Sequence, residues 1–423
     1  MTQRSPSDPG RVAIPDDGGR WGSRAAWWTV AVSALGYFVD IYDLILFAVV
    51  RKSSLTELGV AAADMESAGG RLISLQMAGM LLGGLIWGVA GDRLGRKSTL
   101  FGSILVYSAA NLLNAFVTDL GSYGVLRFVA GLGLAGELGA AITLVSESLP
   151  QRLRGYGTTV VAGVGVTGAL LAAWVGQHTT WQTAYIVGGV LGLGLLALRV
   201  GTFESGLFEQ AKQATAARGD LRMLLWPPRR LARYLAVIAV GVPIWYSVGI
   251  LVVFAAEFAG ELGIQGVVTG GQAVFWSYAG LGVGDIAAGL LSQRLRSRRR
   301  ALLVFLVLST AATALYLTCQ GASVATFELA LFCVGLGGGY WAVFATTAAE
   351  QFGTNLRATV ATTAPNFVRG SLVAIELGWQ ALKPEHGRVG AATIVGAVCL
   401  GVALLATWRL DESYHKDLDF LED

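Results

Sequence analysis

The sequence predicts an all-α membrane protein of twelve transmembrane helices, arranged as two pseudo-symmetric six-helix bundles. Three observations carry this. Apolar residues make up 54% of the chain and charged residues 14%, where soluble domains carry about a quarter charged. The apolar residues gather into runs near the roughly 20 residues that cross a bilayer's hydrocarbon. One polar stretch, 202–231, interrupts the series near its middle, and motifs on either side of it repeat.

Taken in order, residues 1–25 are polar and lack the apolar core and cleavage site of a signal peptide, so they are expected to remain as an N-terminal tail. An N-terminal bundle, 26–201, holds spans near 26–50, 70–91, 98–118, 122–148, 156–177 and 182–201. In the central loop, 202–231, apolar residues from Leu207 to Leu225 recur at helical spacing among Lys and Arg, as in a helix lying on a membrane surface or in an ordinary linker. A C-terminal bundle, 232–409, holds spans near 232–256, 267–291, 301–319, 323–349, 357–381 and 389–409, and 410–423 form a second tail. With both termini cytoplasmic, inner segments hold 24 Lys and Arg and outer segments five, an asymmetry that orients a multi-pass protein of the cell membrane. Cys319, Cys333 and Cys399 fall inside apolar runs and read as packing residues, while His178, His386 and His415 are scattered, so no disulfide or metal framework forms.

The halves look like copies. Gly131-Leu-Gly133 returns as Gly335-Leu-Gly337, Glu147 with Arg154 returns as Glu350 with Arg357, and Glu204-Ser205 returns as Glu412-Ser413. Duplication of this kind places a transporter's binding site between the halves, near the midplane.

Between spans 2 and 3 stand Gly88, Gly91, Asp92, Arg93, Gly95, Arg96 and Lys97, a tight turn at the membrane surface. The glycines are expected to let two helix ends approach closely, and Asp92 and Arg93 to reach a neighbouring helix. A relic follows at Gly289 to Arg294, with Gln293 where the first copy has Asp92. Glu147 is expected to pair with Arg93 or Arg96, which with Arg154 would hold the inner side shut.

Charges at membrane depth cost about 2.5–3.5 kcal/mol each even on lenient scales, so they are candidates for function. Asp40 and Asp43 lie three apart on one face of span 1, beside Tyr37. Two close carboxylates in low dielectric do not readily both ionise, which suits one of them to carry a proton. Arg127 and Glu137, about 15 Å apart along span 4, are expected to mark depths of the same pathway, Arg127 either tuning the acids or simply compensating Asp40 or Asp43. In the second half Trp245, Tyr246, Tyr340 and Trp341 stand where a cavity wall is expected. Asn366, Arg369 and Glu376 share a face of span 11. The guanidinium fork of Arg369 can hold a carboxylate or phosphate, or be neutralised by Glu376. The shared premise is a water-accessible vestibule between the bundles.

The turn G-x-x-x-D-R-x-G-R-K resembles the loop between the second and third helices of the major facilitator superfamily. D-x-Y-D at Asp40, R-x-x-x-G-x-G-x-x-G-E from Arg127, E-S-x-x-F at Glu204 and the closing Lys416 to Glu422 narrow the likeness to its metabolite:proton symporter and sugar-porter-like branch. The resemblance implies the major facilitator fold, a cavity lined by helices 1, 4, 7 and 10, rocker-switch alternating access, and an Asp92 carboxylate capping the inner end of helix 11. Two departures put a sugar substrate in doubt: Phe203 replaces the proline before Glu-Ser, and the second charged turn is degraded.

The expected function is therefore secondary active transport, with protons driving symport of a small polar or anionic organic metabolite. The partners are that solute, protons or sodium, and the lipid bilayer. Nothing points to nucleic acid or a cofactor, and a monomer can enclose the cavity. Efflux of drugs or organic cations by proton antiport is the alternative within transport, and a non-transporting nutrient sensor the alternative outside it. An enzyme is not expected, for no Ser-centred elbow, HExxH or Walker loop is present.

Overall fold

The computed structural model describes residues 24–94, 96–137, 141, 145, 149, 151–203, 224, 226–414 and 422. Nine continuous helical stretches among them are long and apolar enough to cross a membrane, and the last, Thr359–Arg409, is 51 residues long and counts twice. It turns back at Gly387, whose φ of 68° lies in the left-handed region that glycine enters without a Cβ penalty. With the shorter apolar helices Thr99–Asn114 and Leu120–Leu134, the expected twelve spans are accounted for.

Spans 1 to 6 are Arg24–Glu57, Met65–Leu94, Arg96–Asn114, a fourth opening with Leu120–Leu134, Gln151–His178 and Trp181–Phe203. Span 7 runs Pro228–Tyr246, continues through a π-helical turn, Ser247–Val252, and ends in Ala255–Glu261; spans 8 and 9 are Gly270–Leu295 and Arg298–Thr318. Span 10 is broken into Val324–Gly338 and Trp341–Glu350, and span 11 into Thr354–Gly370 and the first part of Leu372–Arg409, whose remainder is span 12. Polar residues start several of these helices: Asp119, Thr269, Ser297 and Ser323 each accept a first-turn backbone N–H, and Thr269 completes a capping box with Gln272. Span 1 continues seven residues beyond its expected end at 50, to Glu57, because the helix runs on past Arg51 and Lys52.

The two halves pack alike. In the first, span 1 lies on 5 and 6, span 2 on 4, and span 3 on 4 and 6; in the second, span 7 lies on 11 and 12, span 8 on 10, and span 9 on 10 and 12. The halves meet chiefly through two equivalent contacts, span 2 on 11 and span 5 on 8, and span 1 also lies on 8. The repeated glycines explain why the sequence copies itself where it does. A Cβ on Gly131 would collide with the Gln76 carbonyl, and one on Gly335 with the Ser277 carbonyl; Gly133 meets Tyr107 and Gly337 meets Ser309 in the same way. Each Gly-Leu-Gly is thus a backbone-to-backbone crossing of span 4 over 2 and 3, or of span 10 over 8 and 9.

The inner-gate residues fall largely beyond this description. Gly95, Glu147 and the segment 204–223, which includes most of the expected surface helix, lie outside the described residues, as do the side chains of Asp92, Arg93, Arg96 and Arg154. Gly88 is described, and nothing described lies within 4 Å of where its Cβ would stand.

Candidate functional site

Asp40, on span 1, and Arg369, on span 11, face each other across the junction of the bundles. Their Oδ2 and Nη2 atoms stand 3.7 Å apart, and the two side chains are 0% and 1% exposed. The approach is loose, because neither oxygen of Asp40 has a hydrogen-bond partner among the described residues, nor has Nε or Nη1 of Arg369. Aromatic rings complete the surroundings. The Arg369 guanidinium lies 6.0 Å from the ring centre of Trp245 and 5.7 Å from that of Trp341, within cation–π range. The Tyr37 side chain lies near Trp341, so span 10 comes up to span 1 beside the ion pair.

A second cluster is confined to the N-terminal bundle. Arg127 donates to Gln76 and, at 3.4 Å, to the Tyr185 hydroxyl, and stands over the Phe47 ring at 5.0 Å. Asp43 lies near Arg127 and Asn111, its two oxygens without a hydrogen-bond donor among the described residues. Arg127 therefore serves Asp43 at a distance, and the counter-charge of Asp40 comes from the other bundle. Glu137 is paired away from Arg127: Arg199 holds it by both carboxylate oxygens, one at 2.9 Å, with Gly36 leaving the room. Arg199, near the end of span 6, is 1% exposed.

The other expected site residues are placed as follows. Glu376 does not neutralise Arg369; it accepts from Gln380 at 2.9 Å and lies 3.5 Å from the Ser74 hydroxyl of span 2. Asn366 donates to the Ala135 carbonyl at 2.9 Å, tying span 11 to span 4. Tyr246 and Tyr340 each give their hydroxyl to a backbone carbonyl of their own bundle, at Ala392 and Val240, which turns them away from the Arg369 cluster. Among the described residues Asp40, Asp43, Arg127 and Glu137 are all 0% exposed, so the groups expected to line a water-accessible vestibule are closed in between packed helices.

What closes it on one side is visible. On the face away from the two chain ends, Arg51 of span 1 meets Glu257 of span 7 at 2.6 Å, with side chains 2% and 12% exposed. Arg51 also donates to the Val253 carbonyl and lies 4.6 Å from the Phe254 ring centre. Beside it, Glu66 of span 2 pairs with Lys383 and, at 2.7 Å, with Arg388, which reaches Glu261 at 2.7 Å. Arg51–Glu257, Glu66–Lys383 and Glu66–Arg388 latch the first bundle to the second; four of their members, Arg51, Glu66, Lys383 and Arg388, sat in the sequence as ordinary loop or span-end charges. Asp285, buried on span 8, accepts from the Ala342 N–H at 3.0 Å. It lies inside a predicted span and meets the criterion that singled out Asp40, so the sequence did carry that signal.

The model of the Major Facilitator Superfamily matches residues 23–375 of the chain. The chain is 29% identical, over 85% of its length and 91% of the relative's, to a 3-(3-hydroxy-phenyl)propionate transporter of Escherichia coli. It is 32% identical to a niacin transporter of Acinetobacter baylyi over 38% of this chain and to a 4-hydroxybenzoate transporter of Pseudomonas putida over 42%, spanning 36% and 39% of those relatives' lengths. In fold it is similar to a D-xylose-proton symporter, with a TM-score of 0.68 at 15% identity, covering 92% of this chain and 99% of that one. A duplicated twelve-span helical body and a family match over most of its length lead to one conclusion: the chain belongs to the Major Facilitator Superfamily.

Proposed function

We propose that this protein is a secondary active transporter of the cell membrane that takes up a small aromatic carboxylate together with protons. The observation that carries the reading is Arg369, a buried cation two of whose donors have no partner among the described residues, close to the rings of Trp245 and Trp341 and facing Asp40 at 3.7 Å. Such a constellation matches a carboxylate on the guanidinium fork and a ring against the indoles. Relatives named for 3-(3-hydroxy-phenyl)propionate, 4-hydroxybenzoate and niacin, all aromatic acids, support the substrate class. A cation at the centre of the site weighs against the organic-cation efflux alternative.

Coupling follows from charge balance. With the site empty, ionised Asp40 balances Arg369. Protonating Asp40 releases Arg369 to a substrate carboxylate, so the loaded site has the same net charge as the empty one. A neutral site is what low-dielectric surroundings favour during reorientation. Asp43, three residues on and without a direct ion-pair partner, is the second acid on this path. Glu137 is a poor carrier, since protonating it would strand buried Arg199. Alternating access then consists of opening the latch at Arg51, Glu66, Glu257 and Arg388 on the outer face while the inner face closes. The expected topology, with both termini cytoplasmic, belongs to this reading.

The test is uptake into proteoliposomes of purified protein. Adding 4-hydroxybenzoate or 3-(3-hydroxyphenyl)propionate outside should acidify the lumen. Asp40→Asn should lose accumulation against a gradient while retaining exchange of labelled for unlabelled solute. Undiminished uphill uptake by Asp40→Asn would remove the coupling scheme, and silence across aromatic acids would remove the substrate class.

A further inference from the structure

Asp285 is a buried carboxylate that neither the ion pair nor the latch uses. It stands on span 8 at one of the places where that span touches span 10 backbone to backbone: a Cβ on Gly284 would strike the Leu336 carbonyl, and one on Gly339 the backbone of Gly284. At this crossing span 10 breaks. Its first helix ends at Gly338, Tyr340 adopts φ −119° and ψ 18°, and a second helix starts at Trp341 with no side-chain cap of its own. A helix that starts anew inside a bundle has N–H groups with no intrahelical acceptor, and leaving them buried and unpaired is costly. Asp285 supplies the acceptor from the neighbouring span, taking the Ala342 N–H at 3.0 Å and facing that of Trp341. Its negative charge also suits the positive end of the new helix. The start of the second helix is thereby pinned to span 8, and its first residue, Trp341, lies near Tyr37 with its ring centre 5.7 Å from the Arg369 guanidinium.

We infer that Asp285 is a positioning residue for solute recognition: it acts as an N-cap lent by another helix, holding the Trp341 indole in place against Tyr37 and Arg369. This rests on the reading of Arg369, Trp245 and Trp341 as the aromatic-carboxylate site and adds the group that fixes one wall of it. The carboxylate works through its acceptor oxygens, so a neutral residue able to cap should replace it. A proton carrier could not be replaced in that way.

The experiment uses the full chain in lipid nanodiscs and proteoliposomes, with 4-hydroxybenzoate and 3-(3-hydroxyphenyl)propionate as probes, read by tryptophan fluorescence and by solute exchange. Asp285→Ala should weaken binding and raise the exchange KM about tenfold, the scale of a lost cap, with the maximal exchange rate per folded molecule unchanged. Asp285→Asn and Asp285→Ser, both able to cap, should stay within about threefold of the parent in Kd and KM and should still accumulate solute uphill. Parent-like binding by Asp285→Ala overturns the inference, and so does an Asn variant as impaired as Ala, which would assign the role to charge. Should Asp285→Ala not reach the membrane, the Asn and Ser variants decide: both near the parent supports the cap, and either one tenfold weaker refutes it. If the parent binds neither acid, the aromatic-carboxylate reading falls and takes this inference with it. If the parent binds and Asp285→Ala binds equally well, only the inference falls.

Discussion

Replacing Glu257 by Gln should open the latched face. In the parent, Arg51 is 2% exposed and its strongest partner is the Glu257 carboxylate at 2.6 Å; its Nε and Nη1 have no hydrogen-bond partner among the described residues. Removing one member of a buried ion pair costs roughly 3–5 kcal/mol, because the remaining charge keeps its desolvation penalty. The lower end applies here, about 3 kcal/mol, since the Val253 carbonyl and the Phe254 ring still face Arg51. Separating the bundles lets water reach Arg51 and relieves the penalty, so the cost falls on the closed state and should shift the closed-to-open ratio by about a hundredfold. Spin labels at Thr56→Cys and Glu385→Cys, both exposed on this face, in a chain with Cys319, Cys333 and Cys399 replaced, would measure it. The parent should give a short distance and Glu257→Gln a longer one, without loss of helical content. Identical distance distributions for the two proteins would refute the claim that this pair holds the bundles together.

Two further outcomes follow from packing and from a loop carboxylate. Gly335→Ala should sharply reduce folded protein in the membrane, since its Cβ would collide with the Ser277 carbonyl, whereas Gly338→Ala, with nothing described within 4 Å, should accumulate normally; membrane yield and a detergent melting curve compare them. Glu412 is exposed, and the partial desolvation of its carboxyl would by itself raise it, but hydrogen bonds from Ser297 and from the N–H groups of Arg298 and Tyr414 outweigh that and hold it below its ordinary 4.5. With the folded value depressed, its contribution is complete above about pH 4.5 and is lost as pH falls below that. Glu412→Ala should thus destabilise the purified protein at pH 7 by about 1 kcal/mol, a modest figure for an exposed group, and much less at pH 3, as melts at the two pH values would show.

The sequence alone determined the secondary structure, the twelve spans and the duplication, for physical reasons that act locally. A run near 20 apolar residues long has one stable answer in lipid, because every buried backbone group must bond within its own helix. Gly131 and Gly335 repeat because two backbones can touch only where no Cβ intervenes. Intramembrane charge also drew attention to Asp40, Asp43, Arg127 and Arg369, since cost per residue can be read without knowing neighbours. Pairing could not be read in that way. Glu376 lies on the same face of span 11 as Arg369, yet the partner that meets Arg369 is Asp40, 329 positions earlier in the numbering and on the other bundle. Arg199 near the end of span 6 and Arg51 just past the expected end of span 1 became buried partners of Glu137 and Glu257, while Tyr246 and Tyr340 looked like cavity walls and bond backbone carbonyls of neighbouring spans in their own bundle. Which charge meets which is set by how twelve helices cross and rotate against one another. Those choices depend on contacts hundreds of residues apart, and no local pattern encodes them.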